Sequence, residues 1–211
     1  MNRRFPVTIC KGDMMLVILD RQHSGQINNL NSLGAVADLD GDGEKSIHEA
    51  EAFWTGYLSM SIELNLRQND IHVIPISDGS YPERHSRVNE YAARYAGPVV
   101  YIALHLNAGG GDYGAMFYDH RSGAGADLSD HIAAAMEQNL PEIRTVKKIP
   151  ASGADWTKNA YYTIKGVGRP VAICSEPLFI DCEQHQQLLT MDGIQRLGFA
   201  MSQGIKKWGN L

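Results

Sequence analysis

The chain has 211 residues, enough for one domain around a single core. With 44% hydrophobic and 20% charged residues it has an ordinary globular composition rather than a disordered one. A net charge of −5 points away from nucleic acid, which calls for a basic face, and three irregularly spaced cysteines (Cys10, Cys174, Cys182) point away from a disulfide framework.

Residues 1–13 show no regular pattern and no apolar stretch long enough for a signal peptide. They are expected to form an N-terminal arm or leader ahead of a domain at 14–211. No apolar run reaches transmembrane length. Residues 14–19 are continuously apolar, as in a buried strand. Residues 24–45, rich in Asn, Gly, Ser and Asp, read as a long loop. A helical pattern runs over 47–67. It places Ile47, Glu51, Trp54, Leu58 and Ile62 on one face, widened by Phe53, Tyr57, Met60 and Leu64. A strand is predicted at 71–76, a helix at 83–95, strands at 99–104 and 114–118, and a helix at 124–140 ended by Pro141. Residues 141–168 read as irregular, with a strand at 161–164. A buried strand at 171–174, with Cys174 as a small buried hydrophobe, and a helix at 184–207 close the chain. Strands alternating with helices predict an α/β fold: a single layered domain, with a twisted, mostly parallel mixed sheet and helices on both faces.

Ligands of such sheets bind at the carboxyl ends of the strands. Asp20-Arg21-Gln22-His23 follows the first strand, His105 follows the strand at 99–104, and Ser175-Glu176 follows the strand at 171–174. His23 by itself reads as an ordinary loop histidine. His105 lies in the apolar flow of its strand, and a buried imidazole needs a partner, either a metal or a core hydrogen bond. Glu51 is either a helix-start carboxylate favoured by the macrodipole or a paired group on a buried face. Taken together, two imidazoles and a carboxylate suit a catalytic zinc site with one open position. Such a site also needs a carboxylate to move the water's proton to a leaving amine. Glu176 is the candidate, the alternative being an ordinary surface glutamate.

In order and spacing these segments resemble the zinc-dependent N-acetylmuramoyl-L-alanine amidases of the amidase-3 family, over residues 14 to about 207. Asp20-Arg21-Gln22-His23-Ser24-Gly25 is similar to the family's D-P-G-H-G-G turn, and Ala103-Leu104-His105-Leu106-Asn107-Ala108 to its S-I-H-A-N-A strand end. Pro170-Val171-Ala172-Ile173-Cys174-Ser175-Glu176 is similar to the strand ahead of its acid/base glutamate. Gln22, Ser24 and Leu178 stand where the family has glycine. The resemblance implies that His23, Glu51 and His105 hold zinc and that Glu176 is the catalytic acid/base. It also implies that Arg87 and Asn107 bind substrate. The reaction implied is hydrolysis of the amide between N-acetylmuramic acid and L-alanine in peptidoglycan, leading to wall lysis. The implied protein is phage endolysin-like and monomeric. It is made in the cytoplasm without a signal peptide and reaches the wall after holin-assisted release. The rival readings are a zinc peptidase cutting the stem peptide and a non-catalytic calcium-binding wall module.

Asp38-Leu39-Asp40-Gly41-Asp42-Gly43, followed after five residues by Glu49, matches the twelve-residue EF-hand loop. Asp38, Asp40, Asp42, Glu44 and Glu49 are the calcium-ligand candidates, in a segment inserted at 38–49. The alternative is a solvated acidic turn. Trp156, Lys158, Tyr161 and Tyr162, in the 147–166 segment, read either as lining of a peptide groove or as an ordinary surface loop.

Overall fold

The computed structural model describes residues 14–23, 33–43 and 46–211. The expected arm at 1–13, with Cys10, and the calcium-ligand candidate Glu44 lie outside the described residues.

Six strands form one mixed sheet, β1 (Leu16–Arg21), β2 (His72–Ile76), β3 (Val99–Leu104), β4 (Gly114–Asp119), β5 (Val146–Ala151) and β6 (Val171–Glu176). Their spatial order is β2-β1-β3-β6-β4-β5. All neighbours are parallel except β4 against β6. β3 is apolar throughout, and β1 is apolar over Leu16–Leu19, because both their faces are covered. Val17, Leu19, Val100, Ile102 and Leu104 face a core shared with α1 (Glu51–Arg67), α3 (Gly123–Asn139) and α6 (Met191–Trp208). Leu16, Ile18, Tyr101 and Ala103 face the opposite core, with α2 (Tyr81–Arg94) and α4 (Lys158–Ile164). The α/β class, the parallel centre and the helices on both faces are as the sequence predicts.

Several local expectations are corrected. The predicted strand at 161–164 is the second half of helix α4. The segment read as irregular contains β5, whose sequence Val-Lys-Lys-Ile-Pro-Ala has little apolar continuity. It is an edge strand, where lysines and a proline are tolerated because one side of the ladder is unpaired. The other edge strand, β2, likewise carries Pro75. The closing helix is broken: α5 (Glu183–Gln186) ends before α6 starts at a new N-cap, Thr190, whose side chain accepts from Gly193 N–H. The helix predicted from residue 47 starts at Glu51. Ile47–Glu49 form a separate 3-10 turn, and Ala50 is extended (φ −94°, ψ 145°). The interruption has a cause: Ala50 bridges antiparallel to Val36, which leaves Ile47 39% exposed, off the buried face.

Candidate active site

Register brings the chemistry together. Arg21 of β1 pairs with Leu104 of β3, and Leu104 pairs with Ser175 of β6. His23, His105 and Glu176 therefore leave the same edge of the sheet. Glu51 reaches that edge from the first residue of α1.

Glu51 is 3% exposed. Its Oε1 lies 3.0 Å from His105 Nδ1 and 3.7 Å from His23 Nε2. The two imidazole rings meet edge to face at 5.1 Å. Leu106 N–H donates to Glu51 Oε1 and Ala35 N–H to Oε2, each at 2.9 Å. Burial drives the Glu51 carboxyl upward, but the hydrogen bond and charge of His105, the charge of His23 and the Ala35 N–H outweigh it, so its pKa is lowered. Burial lowers the His23 pKa against the pull of Glu51, which favours the neutral imidazole that binds metals. His23 adopts a left-handed backbone (φ 59°).

The trio fits a metal ion. One donor atom from each residue lies within 4.8 Å of the others. His105 Nε2 is buried with no hydrogen-bond partner among the described residues, a costly arrangement for a polar atom unless something else binds it. Two imidazoles and one carboxylate form the donor set of a catalytic zinc site. Gly34 packs against the trio with φ +74°, and a Cβ there would stand 2.3 Å from Glu51 Oε2 and 2.9 Å from the His23 ring.

Glu176 ends β6 partly buried, and burial pushes its pKa up to about 6. The His105 charge opposes the shift and the Glu51 charge adds to it. A carboxyl poised near neutrality suits proton transfer in both directions.

Beneath the His23 turn lies a buried network that no sequence pattern announces. Arg84 of α2 pairs with the fully buried Asp20 at 2.8 Å. Tyr101 O–H donates to the same carboxylate at 2.6 Å. Arg84 also donates to the backbone carbonyls of Arg21, Ser77 and Gly79. Burial raises the Asp20 pKa, with Arg84 and Tyr101 opposing it.

The acidic loop is only partly assembled. Asp38, Asp40 and Asp42 converge with ligand atoms within 4.8 Å, and Asp38 accepts from Gly41 and Gly43 N–H. Glu49 does not join them: its carboxylate accepts from Leu39 N–H at 2.6 Å and Ser46 N–H at 2.7 Å. The loop is nonetheless tied to the metal trio. Ala37 N–H donates to Glu49 O, and Glu51 N–H donates to Ala35 O.

Arg87 pairs with Asp78 at 2.7 Å beyond the end of β2 and also binds the Asp78 carbonyl. The Asn107 side chain accepts from Ala108 N–H, and its backbone pairs with the 178–180 segment. Trp156 is 72% exposed and follows β5. Because β5 runs antiparallel to β6, it ends at the sheet edge opposite Glu176.

No protein-family model matches the chain, and no curated protein sequence matches it. Solved structures do. An N-acetylmuramoyl-L-alanine amidase from Clostridium difficile 630 superposes with a TM-score of 0.73 at 16% identity, over 94% of this chain and 98% of that one. Cwp6 from Clostridium difficile superposes with a TM-score of 0.72 at 20% identity, over 92% of this chain. This chain spans 29% of the length of Cwp6. The catalytic domain of the CD27L endolysin targeting Clostridia difficile gives a TM-score of 0.60 at 18% identity, over 92% of this chain and 97% of that domain. This chain therefore has the fold of the N-acetylmuramoyl-L-alanine amidases of the amidase-3 type.

Proposed function

We propose that this chain hydrolyses the amide bond between N-acetylmuramic acid and L-alanine in peptidoglycan, with His23, Glu51 and His105 as zinc ligands and Glu176 as the acid/base. The observation that carries this reading is the meeting of two imidazoles and a buried carboxylate on the sheet edge where Glu176 is held near pKa 6. When bound, zinc lowers the pKa of a water and polarises an amide carbonyl. Glu51 supplies a carboxylate kept anionic by its neighbours, and His23 supplies a neutral imidazole. Glu176 takes the proton of the attacking water on a carboxylate oxygen and delivers it to the departing alanine nitrogen. Asn107, on the His105 loop, and Arg87, once released from Asp78, bind the substrate beside the cut. The same reading gives the 38–49 loop a calcium ion on Asp38, Asp40, Asp42 and Glu44, with Glu49 turning from Leu39 and Ser46 to complete it. The ion would steady the start of α1 and hence Glu51. The protein acts as a monomer at the cell wall, after release through a holin-type partner. No helix among the described residues is long and apolar enough to cross a membrane.

Mass spectrometry of digested peptidoglycan tests the reaction. Free stem peptides beginning with L-alanine are expected, whereas peptides split internally would replace the amidase with a stem-peptide peptidase.

A further inference from the structure

Past the last residue of β3 the backbone stays paired to the β6 segment. His105 N–H donates to Ser175 O at 2.8 Å, Asn107 N–H to Leu178 O at 2.9 Å, and Ile180 N–H to Asn107 O at 2.8 Å. The two rails are out of step. Two steps along the His105 rail, from His105 to Asn107, face three on the other, from Ser175 to Leu178. The extra residue falls within Glu176-Pro177-Leu178, between the Leu104–Ser175 and Asn107–Phe179 pairs, and proline has no N–H to give to the ladder. Glu176, which still pairs with Ala115 of β4, therefore stands at the mouth of a bulge, a device that re-aims a side chain at the end of a paired segment.

The far end of this ribbon is closed by one side chain. Asp181 Oδ2 accepts from Gly109 N–H at 2.8 Å and from Gly110 N–H at 3.1 Å. Both glycines have positive φ (114° and 73°), which turns their N–H groups toward the same carboxylate. Below the ribbon, Phe179 N–H donates to the buried His185 Nδ1 at 2.9 Å. The rail bearing Glu176 is thus anchored from below, Tyr113 packs on Phe179 with ring centroids 4.9 Å apart, and Asp181 makes the last side-chain hydrogen bonds from this rail to the glycines that follow the His105 rail.

We propose that Asp181 is a positioning residue: by clasping Gly109 and Gly110 it holds the bulged ribbon in register and fixes Glu176 relative to His105. The inference rests on the amidase reading of those two residues. Asp181 is exposed, so its replacement leaves the core untouched. Displacement of a reacting group by about 1 Å costs up to roughly 100-fold in rate, and loss of one partner in the surrounding shell typically costs about 10-fold or more.

The test compares the zinc-loaded full chain with Asp181→Ala and Asp181→Asn on a soluble muramoyl-peptide, with zinc affinity measured by chelator competition. For Asp181→Ala, kcat is expected to fall about 10-fold while KM and zinc affinity stay within about twofold. Asp181→Asn keeps one acceptor oxygen and is expected to recover most of the rate. An unchanged kcat in Asp181→Ala overturns the inference. So does an Asn variant as slow as the Ala variant, or a rate loss matched by lost zinc affinity. If the wild type releases no stem peptide, the amidase reading fails and this inference with it. An active wild type beside an unaffected Asp181→Ala removes this inference alone.

Discussion

Glu51 Oε1 and His105 Nδ1 stand 3.0 Å apart although 54 positions separate them in the chain. The contact joins the first turn of a helix to the end of a central strand. It gives the buried carboxylate a partner, and the two residues form the axis about which the candidate site is arranged.

If Glu176 moves the proton, Glu176→Gln removes the transfer and leaves the three metal ligands in place. Stem-peptide release is expected to fall about 10²- to 10⁴-fold, with zinc content unchanged by elemental analysis. A variant that retains both zinc and full lysis would remove Glu176 from the mechanism.

Burial and the Glu51 charge raise Glu176 to about 6, with His105 opposing. As a base it must be ionised, so kcat/KM is expected to fall about tenfold per pH unit on the acid side. A bound cation lowers the pKa further, so this limb lies at or below about pH 6. Stability follows the opposite sign. The folded pKa is above the unfolded one, so the contribution of Glu176 is full below about 4.5 and lost as pH rises through about 6. Metal-free Glu176→Gln should therefore gain on metal-free wild type between pH 4.5 and 7 in urea melts, and parallel pH–stability curves would refute the shift.

A methyl group at position 34 would meet Glu51 Oε2 at 2.3 Å in a residue whose φ is +74°. Gly34→Ala is expected to weaken zinc binding about 10- to 100-fold and to cost roughly 1–3 kcal/mol of stability. Chelator competition and denaturant unfolding measure the two separately. Wild-type zinc affinity in this variant would mean that the loop yields without disturbing Glu51.

Arg84→Met leaves Asp20 buried without its cation. Breaking such a pair from one side costs about 3–5 kcal/mol, to be read from urea unfolding of the metal-free protein. Tyr101→Phe removes one hydrogen bond to the same carboxylate and is expected to cost about 1 kcal/mol. A near-neutral Arg84→Met would show that Asp20 is protonated in the folded state.

Calcium added to calcium-stripped, zinc-loaded protein is expected to raise the melting temperature. At 100 times the dissociation constant the gain is about 2.7 kcal/mol. Asp40→Ala should abolish the response and leave zinc binding intact. A melting temperature indifferent to calcium would return the 38–49 loop to an acidic turn.

The sequence by itself determined the sheet's centre. The runs at 16–19, 99–104 and 171–174 are apolar because both their faces are covered, and a continuous apolar run bounded by polar residues is a local signal. With those strands parallel, His23, His105 and Glu176 had to leave one edge, and the helical phase of Glu51 put it on a buried face. What the sequence could not decide was set by partners far along the chain. Edge strand β5, with its lysines and proline, is a strand because β4 pairs with it. The start of α1 is cut at Ala50 by a bridge to Val36, and Glu49 spends its carboxylate on Leu39 and Ser46 rather than on the aspartates. Arg84 carries no motif, and Asp181 closes the Glu176 motif without any role that its residue type announces. Their roles come from Asp20, 64 positions away, and from Gly109, 72 positions away, and only the folded chain brings those partners within hydrogen-bonding distance.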